Sequence, residues 1–295
     1  MCPIWTQGGF VVKKIIAATL ALGLLFATAG CNAQPKQDGS KSAIESTESK
    51  IEVVEDKEIS IKLKTFAENG IDAVDIERSG IYSGDLVEGI PSGKGTFEAK
   101  NPEGYTWTYT GDFENGTFNG QGESVWIDYT ETGTFTDGLF TPSKSEFFAH
   151  ASYGGFAKYT LTSSSRAFLE ENPNFFPATS EDSLTAMKAS VDTSITYPML
   201  TKSIQNYGSN LIHLDKVQVL QIFENGLVGH TLTTALLWDE DYNYYQLVYD
   251  GALPDVLSED MITVYGLPLA TSGFDNVSGG VTNVVVLAGA YVEKI

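Results

Sequence analysis

A block of residues that recurs with its glycines in register constrains this chain more than any other feature. Tyr82-Ser83-Gly84-Asp85-Leu86, followed by Gly89 and Gly93-Lys94-Gly95, returns 27 residues later as Tyr109-Thr110-Gly111-Asp112-Phe113, Gly116 and Gly120-Gln121-Gly122. A third, eroded copy keeps Gly133, Phe135 and Gly138 but carries Glu131 where the tyrosine belongs. A period of this length marks one supersecondary unit stacked on its neighbours. Side chains alternate along a strand, so Tyr82, Gly84 and Leu86 share a face. Glu88-Gly89 and Asn115-Gly116 mark turns, where positive φ is cheap only for Gly and Asn. Gly93 and Gly95 strip one face of the returning strand, so that a neighbouring ring can lie on the backbone. Tyr105, Trp107, Tyr109 and Phe113 alternate through the second copy and supply such rings. The expectation is a single-layer, elongated sheet of successive β-hairpins with the repeat tyrosines as packing residues. An aromatic strip for a glycan or peptide is the functional alternative.

The order Tyr-x-Gly, turn glycine, Gly-x-Gly resembles the MORN repeat, and the likeness covers about Gly80 to Phe140. It implies a hairpin sheet, with boundaries here at 59–147. MORN arrays have been linked to phospholipid binding. The acidity of this copy argues against that role, because anionic headgroups repel it.

The amino-terminal stretch fixes the expected address. Lys13 and Lys14 precede an apolar run, Ile15 to Ala27, and small residues then lead to a cysteine, Thr28-Ala29-Gly30-Cys31. About 13 residues at 1.5 Å each reach roughly 20 Å, short of the ~30 Å hydrocarbon core, so a cleaved signal is expected rather than a spanning helix. The stretch resembles a bacterial lipoprotein signal over residues 1–30, with Thr28 where that family prefers leucine. The resemblance implies a mature chain that begins at a diacylglycerol-modified, acylated (palmitate-type) Cys31. It also implies an extracytoplasmic protein held on the membrane by its lipid. An ordinary secretory signal is the alternative. Met1 to Phe10 fit poorly ahead of the two lysines, which suggests a true start at Val11 or Val12.

Charge and cysteine usage narrow the function classes. The whole chain carries −20. Without Lys13 and Lys14 the mature part carries −22, a charge that excludes nucleic acid as a partner. Cys2 lies in the leader and Cys31 is taken by lipid, so no thiol is left for a disulfide, a thiolate metal site or a nucleophile. His150, His213 and His230 show no metal-ligand spacing, and His213 and His230 read as structural residues in strands. No Gly-x-Ser-x-Gly elbow, HExxH or phosphate-binding loop occurs. Ser163-Ser164-Ser165 reads as a helix start. No catalytic residue, metal or cofactor is expected.

In chain order, residues 31–58 read as a polar, disordered acidic tether that cannot bury enough surface to offset its ordering entropy. Ile59-Ser60-Ile61-Lys62-Leu63-Lys64 alternates as a half-buried strand. Thr141 to Thr162 is a connection holding a last strand, with Gly154-Gly155 as its turn. The connector, 148–196, carries short helices over Ser165–Glu171 and Glu181–Ser190. A further helix over Pro198–Tyr207 stops at Gly208. Strands follow over Leu211–Phe223, Thr231–Trp238, Tyr244–Tyr249, Met261–Tyr265 and Val284–Val292, with Asn225-Gly226 as a hairpin turn. The longest connection comes after the third strand, which suggests a five-stranded Greek-key barrel over 197–295. Asp260-Met261-Ile262-Thr263-Val264-Tyr265-Gly266, Gly279-Gly280 and the final strand resemble the OB-like C-terminal domain of Gram-positive extracytoplasmic lipoproteins. The fold class is therefore mainly β with a few short helices.

OB-folds bind across strands 2 and 3. Here those strands offer Trp238, Tyr242, Tyr244, Tyr245 and Tyr249, with Asp239, Glu240 and Asp241 among them. A calcium loop beginning at Asp239 fails, because Tyr244 stands where Gly is needed and Asp250 where a bidentate Glu is needed. The expected function is a membrane-anchored, non-enzymatic binding or scaffold module for a protein, peptide or glycan. A cell-wall-directed hydrolase using an unidentified carboxylate pair is the alternative.

Overall fold

Seven strands that pair in strict sequence order open the structure, a computed structural model that describes residues 50–276 and 279–295. They are β1 (Ile51–Phe66), β2 (Ala73–Val87), β3 (Ile90–Lys100), β4 (Thr106–Glu114), β5 (Thr117–Val125), β6 (Thr130–Thr136) and β7 (Leu139–Phe140). All are antiparallel. The turns Glu88-Gly89, Asn115-Gly116 and Asp137-Gly138 have positive φ at both central residues, the backbone that suits two-residue hairpins. The leader, Cys31 and residues 31–49 of the expected tether lie outside the described residues.

The register explains the repeat. Gly84, Gly95, Gly111, Gly122 and Gly133 stand opposite one another on consecutive strands and form one bare row across β2–β6. Tyr82 lies on Gly95 and Tyr109 on Gly122; a Cβ on Gly122 would come within 2.4 Å of the Tyr109 hydroxyl oxygen. The hydroxyls donate to the carbonyls of Asp85 and Asp112 at 2.8 and 2.9 Å. A parallel row on the same face runs Tyr82, Phe97, Tyr109, Ser124, Glu131. Tyr82, Phe97, Tyr109, Phe113, Phe118 and Phe135 are buried there. They meet mostly edge to face, with Tyr109 stacked on Phe118 at 3.8 Å. The sheet curls until its ends touch: the Lys64 N–H donates to the Asp137 carbonyl at 2.8 Å.

Four helices follow: α1 (Lys144–His150), α2 (Ser163–Glu171), α3 (Glu181–Ala189) and α4 (Tyr197–Ser203). Then β8 (Ile212–Leu227), β9 (His230–Trp238), β10 (Tyr244–Asp250), β11 (Met261–Asp275) and β12 (Val281–Lys294) close a barrel in the order β10-β12-β11-β8-β9. β10 and β12 are parallel and the other pairs antiparallel. Closure leaves no sheet edge. Val217, Val219, Ala235, Leu237, Leu247, Val264, Val285 and Leu287 fill its interior.

Three expectations are corrected. Residues 51–58 are not tether but the outer half of β1, paired from Ile51↔Val87 onward; β2 supplies the backbone partners that their polar composition concealed. The connection after the repeats holds helix α1 rather than a last strand at Gly154-Gly155. Ser143 caps it, with Glu146 returning to the Ser143 N–H in a capping box. The β8–β9 turn is Val228-Gly229, not Asn225-Gly226, which pair with Leu232 and Thr231 inside the ladder. Gly226 serves another end: a Cβ there would collide with the Asn69 carbonyl, 1.7 Å away.

That contact joins sheet to barrel within one compact unit, Glu48–Ile295. The Gly229 N–H donates to the Gly70 carbonyl at 2.9 Å. Lys144 of α1 meets Asp250 of β10 at 2.6 Å, and His230 Nδ1 meets the other carboxylate oxygen at 2.8 Å. The buried Gln246 side chain pairs with both backbone groups of Ala157.

Candidate functional site

Asp239 organises the β9–β10 tip. One carboxylate oxygen accepts the N–H groups of Asp241 and Asn243, and the other accepts the Asn243 amide and the Tyr245 hydroxyl. This turn presents Tyr242 at φ 60° and 69% exposed. Its ring stands edge-on to Trp238, centroids 5.2 Å apart, while Trp238 donates from Nε1 to Gln218 at 2.8 Å. The Tyr244 ring lies tilted against Trp238, with centroids 6.1 Å apart. The Trp238–Tyr242 corner, with Lys216, Gln218, Glu240 and Met261, walls a shallow cleft of about 210 Å³. It offers two ring surfaces at right angles with one cation, Lys216, and two acids, Asp239 and Glu240, beside them, a setting for stacking and hydrogen bonding. Tyr245 does not belong to it. That ring is buried in the barrel, and its pKa is raised by burial and by the Asp239 carboxylate it bonds. Asp239 is fully used by its own turn, which fits a structural rather than a metal-binding carboxylate.

The repeat residues Tyr82, Gly84, Gly95, Tyr109, Gly111 and Gly122 form the packed row described above. Gly89 and Gly116 sit in turns, Gly93 faces Asp85 and Gly120 faces Asp112. Burial pushes the Tyr82 hydroxyl up to about 12. His213 stacks on Tyr265 at 4.4 Å. Burial raises the Asp250 proton affinity, but the hydrogen bonds from His230 and Lys144 outweigh it and hold that carboxyl below its ordinary value.

A second cluster lies where the third repeat departs from the pattern. Trp107, Trp126 and Tyr129 stack in a column at 5.0 and 5.7 Å. The rings of His150 and Tyr153 close on Tyr129 at 5.4 and 6.1 Å. Glu131 ends the tyrosine row beside this column, and burial pushes its carboxyl up to about 7, a rise the Trp126 indole opposes. Burial also pushes His150 down to about 4. Trp126 Nε1 and His150 Nδ1 are both enclosed; the indole is turned toward the Glu131 carboxyl, and His150 Nδ1 has no hydrogen-bond partner among the described residues. Glu146 of α1 lies on Gly133, where the earlier copies lay a tyrosine on the glycine row. The substitution of Glu131 for the repeat tyrosine is the one sequence signal that marks this place. Among the described residues no group of His, Cys, Asp and Glu converges to hold a metal ion. Nor is any helix among them long and apolar enough to cross a membrane.

The sequence model of the MORN repeat matches residues 82–101 and 109–131. The curled sheet carries MORN repeats. No curated protein and no solved structure matches the chain. The MORN matches fall on β2–β3 and β4–β6, so the repeat unit is one hairpin with its turn glycine and its tyrosine-covered row.

Proposed function

We propose that this chain is an extracytoplasmic lipoprotein, anchored through lipid on Cys31. Its MORN sheet and an OB-like barrel act as one binding or scaffold body for a protein, peptide or glycan. The observation that carries the reading is the Trp238–Tyr242 corner, a half-buried tryptophan that ends the second barrel strand and an exposed tyrosine in the turn leading to the third, a turn fixed by four hydrogen bonds to Asp239. Ligands of OB-folds lie across those strands. Preorganisation of this kind lowers the cost of ordering a loop on binding. The strand order, with its long connection between β10 and β11, supports the OB-like assignment. The lipobox-like Thr28-Ala29-Gly30-Cys31 supports the address.

Two measurements test the reading. Radiolabelled palmitate should enter the wild-type protein and not Cys31→Ala; equal labelling would remove the anchor. Cross-linking on intact cells should recover a partner with the wild-type chain, with recovery falling about tenfold for Tyr242→Ala, in line with the ~1–3 kcal/mol of a stacked aromatic contact. Unchanged recovery would remove the barrel corner as the binding surface.

A further inference from the structure

The barrel closes on itself, but the curled sheet keeps an open edge. β1 pairs with β2 alone, and its other side carries no strand. The register from Lys57↔Tyr82 to Phe66↔Ala73 is unbroken, so alternate residues present their backbone groups to the same side. The Lys64 N–H donates to the Asp137 carbonyl, away from β2. Glu58, Ser60 and Lys62 therefore turn their N–H and C=O groups outward as well, and among the described residues these groups have no partner. Asp137 bounds this free run on one side and the bulge between Val54 and Lys57 bounds it on the other. The side chains of Glu58, Ser60 and Lys62 share the exposed face, while Ile61 on the opposite face is buried. An unpaired row of this kind is a template for another strand.

We infer that this edge pairs with the same edge of a second copy of the chain, antiparallel about a two-fold axis through Ser60. The inference is independent of the lipid anchor and of the barrel corner. Charge selects the occupant. Glu58 faces Ile81 across β2 and no cation, whereas Lys62 stands two residues beyond Ser60 on the same face. Antiparallel pairing centred on Ser60 sets Glu58 of each copy opposite Lys62 of the other, with Cα atoms roughly 5.5 Å apart. Opposite charges directly across a ladder stabilise it, and like charges oppose it. A slip of two residues loses both ion pairs, and a slip of four sets Glu58 or Lys62 against its own copy. The centred register also exchanges about six N–H···O=C bonds, two at each of three facing positions. On the other face Ile59, half-buried in the single chain, comes beside the second copy's Ile61. The contact is self-complementary and uses up the edge on both copies, so growth stops at two.

Sedimentation equilibrium of the full chain tests this. The ladder is short, with an interface below the ~1,000 Å² of stable complexes, so a dimer dissociation constant on the order of 100 µM is expected. Concentrations spanning that value should show a monomer–dimer equilibrium. Ser60→Pro should abolish it while leaving the melting temperature close to that of the wild type, because an edge strand tolerates proline where its N–H would face outward. Glu58→Lys should weaken the dimer about tenfold, and adding Lys62→Glu should restore it to within about threefold, since the swap pairs every charge again. Tyr242→Ala on the barrel should leave it unchanged. A chain that stays monomeric throughout would overturn the proposal and leave the edge to a strand of another protein. A dimer that persists with Ser60→Pro, or a charge swap no tighter than Glu58→Lys alone, would overturn it too. If Ser60→Pro does not fold, the charge swap decides.

Discussion

In the sheet the buried side chains include Tyr82, Phe97, Trp107, Tyr109, Phe113, Phe118 and Phe135; inside the barrel they include Val217, Val219, Leu237, Leu247, Val264, Val285 and Leu287. The difference follows from closure. A barrel surrounds its interior on all sides, so compact branched side chains fill it and each strand is supported by the opposite wall. The curled sheet meets itself only where β1 reaches the β6–β7 end, with α1 adding Phe147 and Phe148 to its core. Its strands must be covered by rings that reach sideways, and those rings need strands stripped to glycine to lie on. Large aromatics and bare backbone are therefore one device in two parts, and neither half works without the other.

Variants can break this contrast by failing in opposite ways. Leu287→Ala should leave a void in the barrel and cost the most, about 4 kcal/mol, read as a shift in the denaturant midpoint. Gly122→Val should fail by crowding, driving a branched side chain into Tyr109 at a cost of about 3 kcal/mol. A cost under ~1 kcal/mol would mean the glycine row is not a packing requirement. The junction between the regions should give an intermediate effect. Asp250→Ala strands the partly covered Lys144 and should cost about 2 kcal/mol, less than a fully buried pair because His230 and Lys144 retain access to water. Because the Asp250 carboxyl is held below its ordinary value, its contribution is complete above that value and disappears as pH falls through the lower, folded-state one. The penalty of Asp250→Ala should therefore shrink in acid.

The smallest effect sharpens the comparison within the sheet. Glu131 has its proton affinity raised by burial, to about 7 from 4.5. Its protonated form suits the fold at pH below 4.5, and the cost of ionising it grows as pH rises through 7. Glu131→Gln should leave the melting temperature unchanged near pH 4 and raise it by a few degrees, roughly 2–4 °C per kcal/mol for a chain of this size, at pH 8. A loss of stability at pH 8 would mean that the Trp126 indole stabilises the ionised carboxylate by more than burial costs it.

Much of the sheet was legible because its rules are local. Turn dipeptides, a two-residue alternation and glycines at a fixed period can each be read within a few positions. Helix α1 was equally local, since Ser143-Lys144-Ser145-Glu146 carries the capping-box spacing, but the neighbouring phenylalanines and glycines suggested a strand. Asn225-Gly226 shows the opposite case. The dipeptide is a good turn, yet the chain turns at Val228-Gly229, because Gly226 is needed where the Asn69 carbonyl crosses it. Of the expected aromatic surface, Trp238, Tyr242 and Tyr244 came together at the barrel tip, while strand alternation turned Tyr245 inward. The cluster around Tyr129 was not legible, because it gathers a loop, a strand end and a helix end that are adjacent only after folding.

The bond from Gly229 to Gly70 has a mechanical corollary. The barrel is grasped at the turn that follows β1, whereas the chain enters β1 at Ile51, the opposite end. Sixteen residues of strand, at ~3.3 Å each, separate the two points by up to about 50 Å. β1 thus sets the entry of the chain at Ile51 a full strand's length from its junction with the barrel, and because β2 pairs along that whole length the separation is held by a ladder rather than by loose chain.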